Sequence, residues 1–82
     1  MTRFEKLISR FLSRPKDFTY SELKRLLSGF SYSEIPGSGS RVVFMNEKLK
    51  HSIKLHKPHP GKILKSYQID LVLNELKSNG LL

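Results

Sequence analysis

Phe4, Leu7, Ile8 and Phe11 recur at helical spacing, with Arg3, Glu5, Lys6 and Arg10 between them. That pattern predicts an amphipathic helix, ending before Pro15, which disfavours helical geometry in the residue ahead of it. Thr19 and Glu22 have the spacing of a capping box, in which each side chain covers the other residue's free amide. Tyr20, Leu23, Leu26 and Leu27 then form the buried stripe of a second helix, with Gly29 as its expected left-handed stop. After Gly29 the period changes to two. Phe30, Tyr32 and Ile35 open a first strand, and Pro36-Gly37-Ser38-Gly39 is a turn by composition. Residues 41–45, rich in β-branched and aromatic side chains, form the second strand. Residues 46–50 are polar enough for a hairpin connection, and 51–55 form a short third strand antiparallel to the second. Pro58, Pro60 and Gly61 force the chain out of the sheet. A last helix begins near Ser66, buries Ile69, Val72, Leu73 and Leu76, and stops at Gly80.

The expected architecture is α+β, in the order α-α-β-β-β-α: a three-stranded antiparallel sheet with helices on one face and the other face open to solvent. Alternation decides what the open face carries. With Val42, Phe44, Ile53 and Leu55 turned to the core, Arg41, Val43, Lys54 and His56 point outward. A slip of one residue in register would invert that assignment. The 82 residues and 38% hydrophobic content suit a single domain, with a helix in 1–14 ahead of a core in 20–82.

Charge adds a partner to this picture. Fifteen Lys and Arg against seven Asp and Glu leave a formal net charge of +8. Basic surfaces of this kind gain affinity for polyanions by releasing counterions from phosphates. Between residues 41 and 65 the cations are Arg41, Lys48, Lys50, Lys54, Lys57, Lys62 and Lys65, opposed by Glu47 alone. His51, His56 and His59 fall in the same window. No run approaches the ~20 apolar residues that span a bilayer, and there is no apolar leader at the amino terminus. Without cysteine there is no thiolate metal site or disulfide. A cytoplasmic protein without a cofactor or membrane attachment is expected.

Histidines beside lysines suit phosphodiester chemistry. Cleaving RNA through its own 2′-hydroxyl needs a base, an acid and a cation to stabilise charge on the phosphate. Imidazole serves the first two roles near neutrality. Arginine cannot act as the base, but its planar fork grips phosphate. The stretch "LHKPHPGK", residues 55–62, offers His56 and His59 with Lys57 and Lys62 close by, and its prolines stiffen the loop. Each residue also has a plainer role: a hydrogen bond at the strand end for His56, a surface position for His59, a cross-strand ion pair with Glu34 for Arg41. His51 reads as exposed polar sequence. The histidine spacing matches no helical metal pair, and "GSGS" lacks the Walker pattern.

With these residues in place, the chain resembles the HicA (YcfA-like) family of toxin-antitoxin systems over roughly residues 20–82. The matching motifs are "SELKRLLSGF", Gly39-Ser40-Arg41-Val42-Val43-Phe44 against a Gly-Ser-His-x-x-Phe/Tyr strand, "LHKPHPGKILK", and "DLVLNELKSNGLL". The resemblance implies a double-stranded-RNA-binding-domain-like fold and metal-independent endoribonuclease cleavage of mRNA. It also implies neutralisation by a HicB-type antitoxin protein. Arg41 stands where the family carries its catalytic histidine, so His59 is the preferred proton carrier, with His56 assisting and Arg41 as an electrostatic clamp. Gly39, Ser40, Lys54, Lys57, Lys62 and Lys65 are the expected RNA-binding residues. The alternatives are a non-catalytic RNA-binding module on the same fold and a basic face that docks an acidic protein.

Overall fold

The computed structural model describes residues 2–58 and 61–82. Helices α1 (Arg3–Leu12) and α2 (Tyr20–Gly29) lead into strands β1 (Ser33–Pro36), β2 (Arg41–Asn46) and β3 (His51–His56), and α3 (Ser66–Ser78) completes the chain. The sheet is antiparallel, in spatial order β1-β2-β3. This is the α+β architecture and element order that the hydrophobic pattern predicts. Among the described residues no helix is long and apolar enough to cross a membrane.

Both leading helices begin at capping boxes. Thr2 Oγ1 accepts from the Glu5 amide at 3.1 Å while Glu5 accepts from the Thr2 amide at 3.0 Å. Thr19 and Glu22 repeat the arrangement at 3.2 and 3.1 Å. Each reciprocal pair satisfies two amides that a helix start leaves without partners. Glu22 has a second role. Arg10 of α1 donates from Nε to Glu22 Oε2 at 2.7 Å, and its Nη2 reaches Asp17 at 3.1 Å, tying the two helices together.

The Arg10 hydrogen bond holds the Glu22 carboxyl down at about 2, against an ordinary 4.5. A carboxyl depressed in the folded state contributes stability above its unfolded value, and that stability is lost as pH falls through the folded value. The stability gap between the parent and Glu22→Gln, read by urea unfolding, is therefore expected to close as pH falls from about 4.5 to about 2. A gap that stays constant across that window would mean the carboxylate's charge is not linked to folding.

The helix ends explain where the sequence pattern misleads. Gly29 is the last residue of α2 and does not adopt the left-handed conformation; Ser31 does, with φ 72°. The amides of Ser31 and Tyr32 donate back to Ser28 O at 3.0 Å and Leu27 O at 2.9 Å. These are the two bonds of a Schellman stop, with serine where glycine is usual. Residues 30–32 are consumed by this stop, so β1 starts at Ser33, later than the period-two pattern places it. Gly29 is small for another reason. A β-carbon there would lie 2.1 Å from the Phe4 ring, which packs on the bare backbone. Gly80, with φ 72°, ends α3 as expected.

The core lies between the sheet and the helices. Val42, Phe44, Ile53 and Leu55 from the strands meet Leu23, Leu26 and Leu27 of α2 and Ile69, Val72 and Leu76 of α3, all buried. Leu73, assigned to the core by pattern, is only partly buried against it. Phe11 of α1 is fully buried in the same cluster, 5.3 Å from the ring of Phe18. After Pro58 and Gly61 the chain re-enters the body through residues 62–64. Tyr20 donates to Lys62 O and Leu64 to Phe18 O, each at 2.8 Å, and Thr19 pairs with Ile63.

Candidate functional site

Strand alternation places the side chains as period two requires. Val42, Phe44, Ile53 and Leu55 are buried, while Arg41, Lys54 and His56 are exposed on the opposite face. The register pairs Arg41 with His56, Val43 with Lys54, and Ile35 with Val43. Residues paired across antiparallel strands share a face, with β-carbons about 4.5–5.5 Å apart. The guanidinium stem and the imidazole therefore rise side by side at one end of the sheet.

The turn before β2 supports this end. Gly37 N–H donates to Arg41 O at 2.9 Å, and Arg41 N–H to Ser38 O at 3.2 Å. Gly39 sits between them with φ 62°, a conformation that glycine adopts without steric cost. Lys57 N–H donates to Ser40 O at 2.8 Å, carrying the β2–β3 pairing one step beyond the strand ends. Ser40 Oγ then lies 3.3 Å from His56 Nδ1. A hydroxyl both donates and accepts, so Ser40 can partner Nδ1 in either tautomer and in the imidazolium. The other ring nitrogen, Nε2, is left to meet a ligand.

Two clefts adjoin His56. On one side Arg41, Lys54 and His56, with Gly37 and Ser38, line a cleft of about 480 Å³. On the other, His56 shares a smaller cleft of about 200 Å³ with Ser40, Lys57, Lys65, Tyr67 and Gln68. Lys57 also holds its ammonium 5.8 Å from the centre of the Tyr20 ring. Lys62 is exposed but lines neither cleft; its backbone pairs with Tyr20 at the start of α2. His59, the proton carrier preferred on sequence, lies outside the described residues.

Five of the seven carboxylates are engaged elsewhere. Asp17, Glu22, Glu34, Asp70 and Glu75 are engaged by Arg10, Lys24, Arg14 or His51. Among the described residues, no ion pair involves Arg41, Lys54, Lys57, Lys62 or Lys65. Glu34, the carboxylate considered for Arg41, is paired with Phe44 and so faces the helices. There it accepts from the Tyr20 hydroxyl and lies 3.3 Å from Lys24. Burial and the Glu34 contact push the Tyr20 hydroxyl's pKa up, and Glu34 is held down by Tyr20 first and Lys24 second.

His51 departs from its reading as exposed polar sequence. It is half-buried on the helix side, 2.8 Å from the Tyr32 hydroxyl and 2.6 Å from Glu75. It links β3 to the end of α2 and to α3, away from the open face. Two residues at the site carry no flag in the sequence pattern. Gln68 is buried, accepts from Lys65 N–H at 3.0 Å and donates to His56 O at 2.8 Å, pinning the first turn of α3 to the end of β3. Tyr67 is 64% exposed beside it. The available signal was its position off the Ile69–Val72–Leu76 stripe, where an aromatic has no core to fill.

No family model, curated protein or solved structure matches this chain. Among the described residues, no three His, Asp or Glu side chains come together.

Proposed function

We propose that the chain is a metal-independent endoribonuclease of HicA type that cleaves mRNA on the open sheet face. The observation that carries the reading is the Arg41–His56 cross-strand pair, exposed on a face whose cations have no carboxylate partner among the described residues. Where the family resemblance sets a histidine at position 41, the imidazole here comes from the adjacent strand. His56 takes the proton of the ribose 2′-hydroxyl at Nε2. The 2′-oxygen–phosphorus bond forms as the bond to the 5′-oxygen breaks, and the leaving oxygen receives a proton from solvent or a neighbouring cationic group. Arg41 and Lys54 stabilise the charge that builds on the phosphate, and Ser40 holds the ring in place. His59, the carrier favoured on sequence, is the second histidine to vary.

A HicB-type antitoxin would neutralise the protein by covering this face, because an acidic or aromatic surface over the cationic pair excludes RNA directly. A second reading, a non-catalytic RNA-binding module, rests on Arg41 itself: a guanidinium keeps the charge of the family's histidine but cannot shuttle a proton. Both readings require RNA on this face, whereas docking of an acidic protein alone does not.

The test of that shared requirement is RNA affinity as a function of salt. Single-stranded RNA binding should weaken linearly on a log–log plot against salt, by about 0.7 in slope per phosphate neutralised, and Arg41→Ala and Lys54→Ala should each flatten the slope by about 0.7 if each side chain neutralises one phosphate. A slope unchanged in both variants would move the RNA to another surface.

A further inference from the structure

Among the described residues Tyr67 is the most exposed of the large apolar side chains, at 64%, yet its neighbour Gln68 ties the backbone that carries it to the end of β3. The buried Gln68 amide bonds to both the Lys65 backbone and the His56 carbonyl, so the first turn of α3 cannot shift without breaking contact with β3. The anchored turn therefore presents Tyr67 to the cleft it shares with Ser40, His56, Lys57 and Lys65. At about 200 Å³ that cleft is smaller than the roughly 300–1,000 Å³ of sites for drug-sized ligands. Its size suits a single ring system.

The composition of the cleft is specific. Tyr67, His56, Lys57 and Lys65 line it; the Lys57 ammonium leans over the Tyr20 ring, and among the described residues Lys65 forms no ion pair. A planar base carried on a phosphate chain suits this lining: the ring stacks on Tyr67 while Lys65 meets the phosphate beside it. The cleft also adjoins the Arg41 and Lys54 cleft through their shared wall, His56. A backbone crossing His56 can thus place a phosphate on one side and an unstacked base on the other.

We infer that the Tyr67 cleft is a nucleobase subsite, in which a base of single-stranded RNA next to the reacting phosphate stacks on the phenol ring. This rests on the reading of the open face as an RNA site. It makes Tyr67 a determinant of substrate class: unpaired RNA can turn a base into the cleft, whereas a base held in a duplex cannot.

The test is fluorescence anisotropy with short single-stranded RNA, intact or carrying one abasic position scanned along the strand. Stacking of one base is worth about 1–3 kcal/mol, so Tyr67→Ala should weaken binding to intact RNA roughly 5- to 140-fold. Tyr67→Phe should bind like the parent. At one abasic position the parent should lose a similar factor and Tyr67→Ala should lose nothing more. Because the side chain is exposed, thermal unfolding should show both variants folded as the parent is. Parent and Tyr67→Ala binding equally, with equal penalties for every abasic position, would overturn the subsite while leaving the RNA reading intact. A folded parent with no affinity for any RNA would overturn both.

Discussion

His56→Ala is expected to slow RNA cleavage by roughly 10²–10⁴-fold, the usual contribution of a general acid–base group, while RNA affinity stays close to that of the parent. The separation follows from the division of roles across the Arg41–His56 pair. The guanidinium carries charge in ground state and transition state alike, so its loss should appear in binding as well as in rate. A neutral imidazole contributes little to holding phosphate and acts when the 2′-oxygen gives up its proton. Single-turnover rates and equilibrium affinities measured on the same oligonucleotide separate the two. His59→Ala, run beside it, assigns the proton transfer between the two histidines. If His56→Ala cuts as fast as the parent and His59→Ala does not cut, the preference drawn from sequence is right and the cross-strand pair serves binding only.

The second large effect concerns the fold. Phe11→Ala is expected to destabilise the protein by about 3–5 kcal/mol, the range for truncating a buried phenylalanine and leaving a cavity. A chain of this size has roughly 4–12 kcal/mol of stability in total, so the loss removes a large share of it. The ring is fully buried and packs on Phe18, joining α1 to the cluster that includes Phe44 and Leu26. Urea denaturation should show a lower midpoint with the slope retained, or no folded baseline at all. A change below about 1 kcal/mol, the centre of the distribution for point substitutions in general, would mean that α1 docks loosely and the cluster closes without it.

How much of this was legible in the sequence depends on the range of the interaction that fixed each feature. The start of α2 was readable because a capping box is a local reciprocal contact, complete within four residues. The outward placement of Arg41, Lys54 and His56 was readable because alternation leaves Val42, Phe44, Ile53 and Leu55 a single common face. Gly29 misled because its smallness answers to Phe4, on another helix, and the left-handed turn fell to Ser31. His51 was unreadable for the same reason: its partners, Tyr32 and Glu75, are brought to it only by the tertiary fold. Tyr67 gained its place from a glutamine bonded to the end of a strand, a contact with no signature in periodicity. The pairing of Arg41 with His56 depended on hairpin register, which a two-residue pattern restricts but does not assign.

The most direct measurement is cleavage of single-stranded RNA by the purified parent protein in EDTA, with the ends of the products identified. Attack by the 2′-oxygen leaves a cyclic 2′,3′-phosphate, so such ends are expected, lost in His56→Ala and unaffected by the chelator. Folded parent protein that binds RNA and leaves it intact would contradict catalysis on this face. Gain of cleavage in Arg41→His would then show that the missing proton carrier at position 41 is what confines this face to binding.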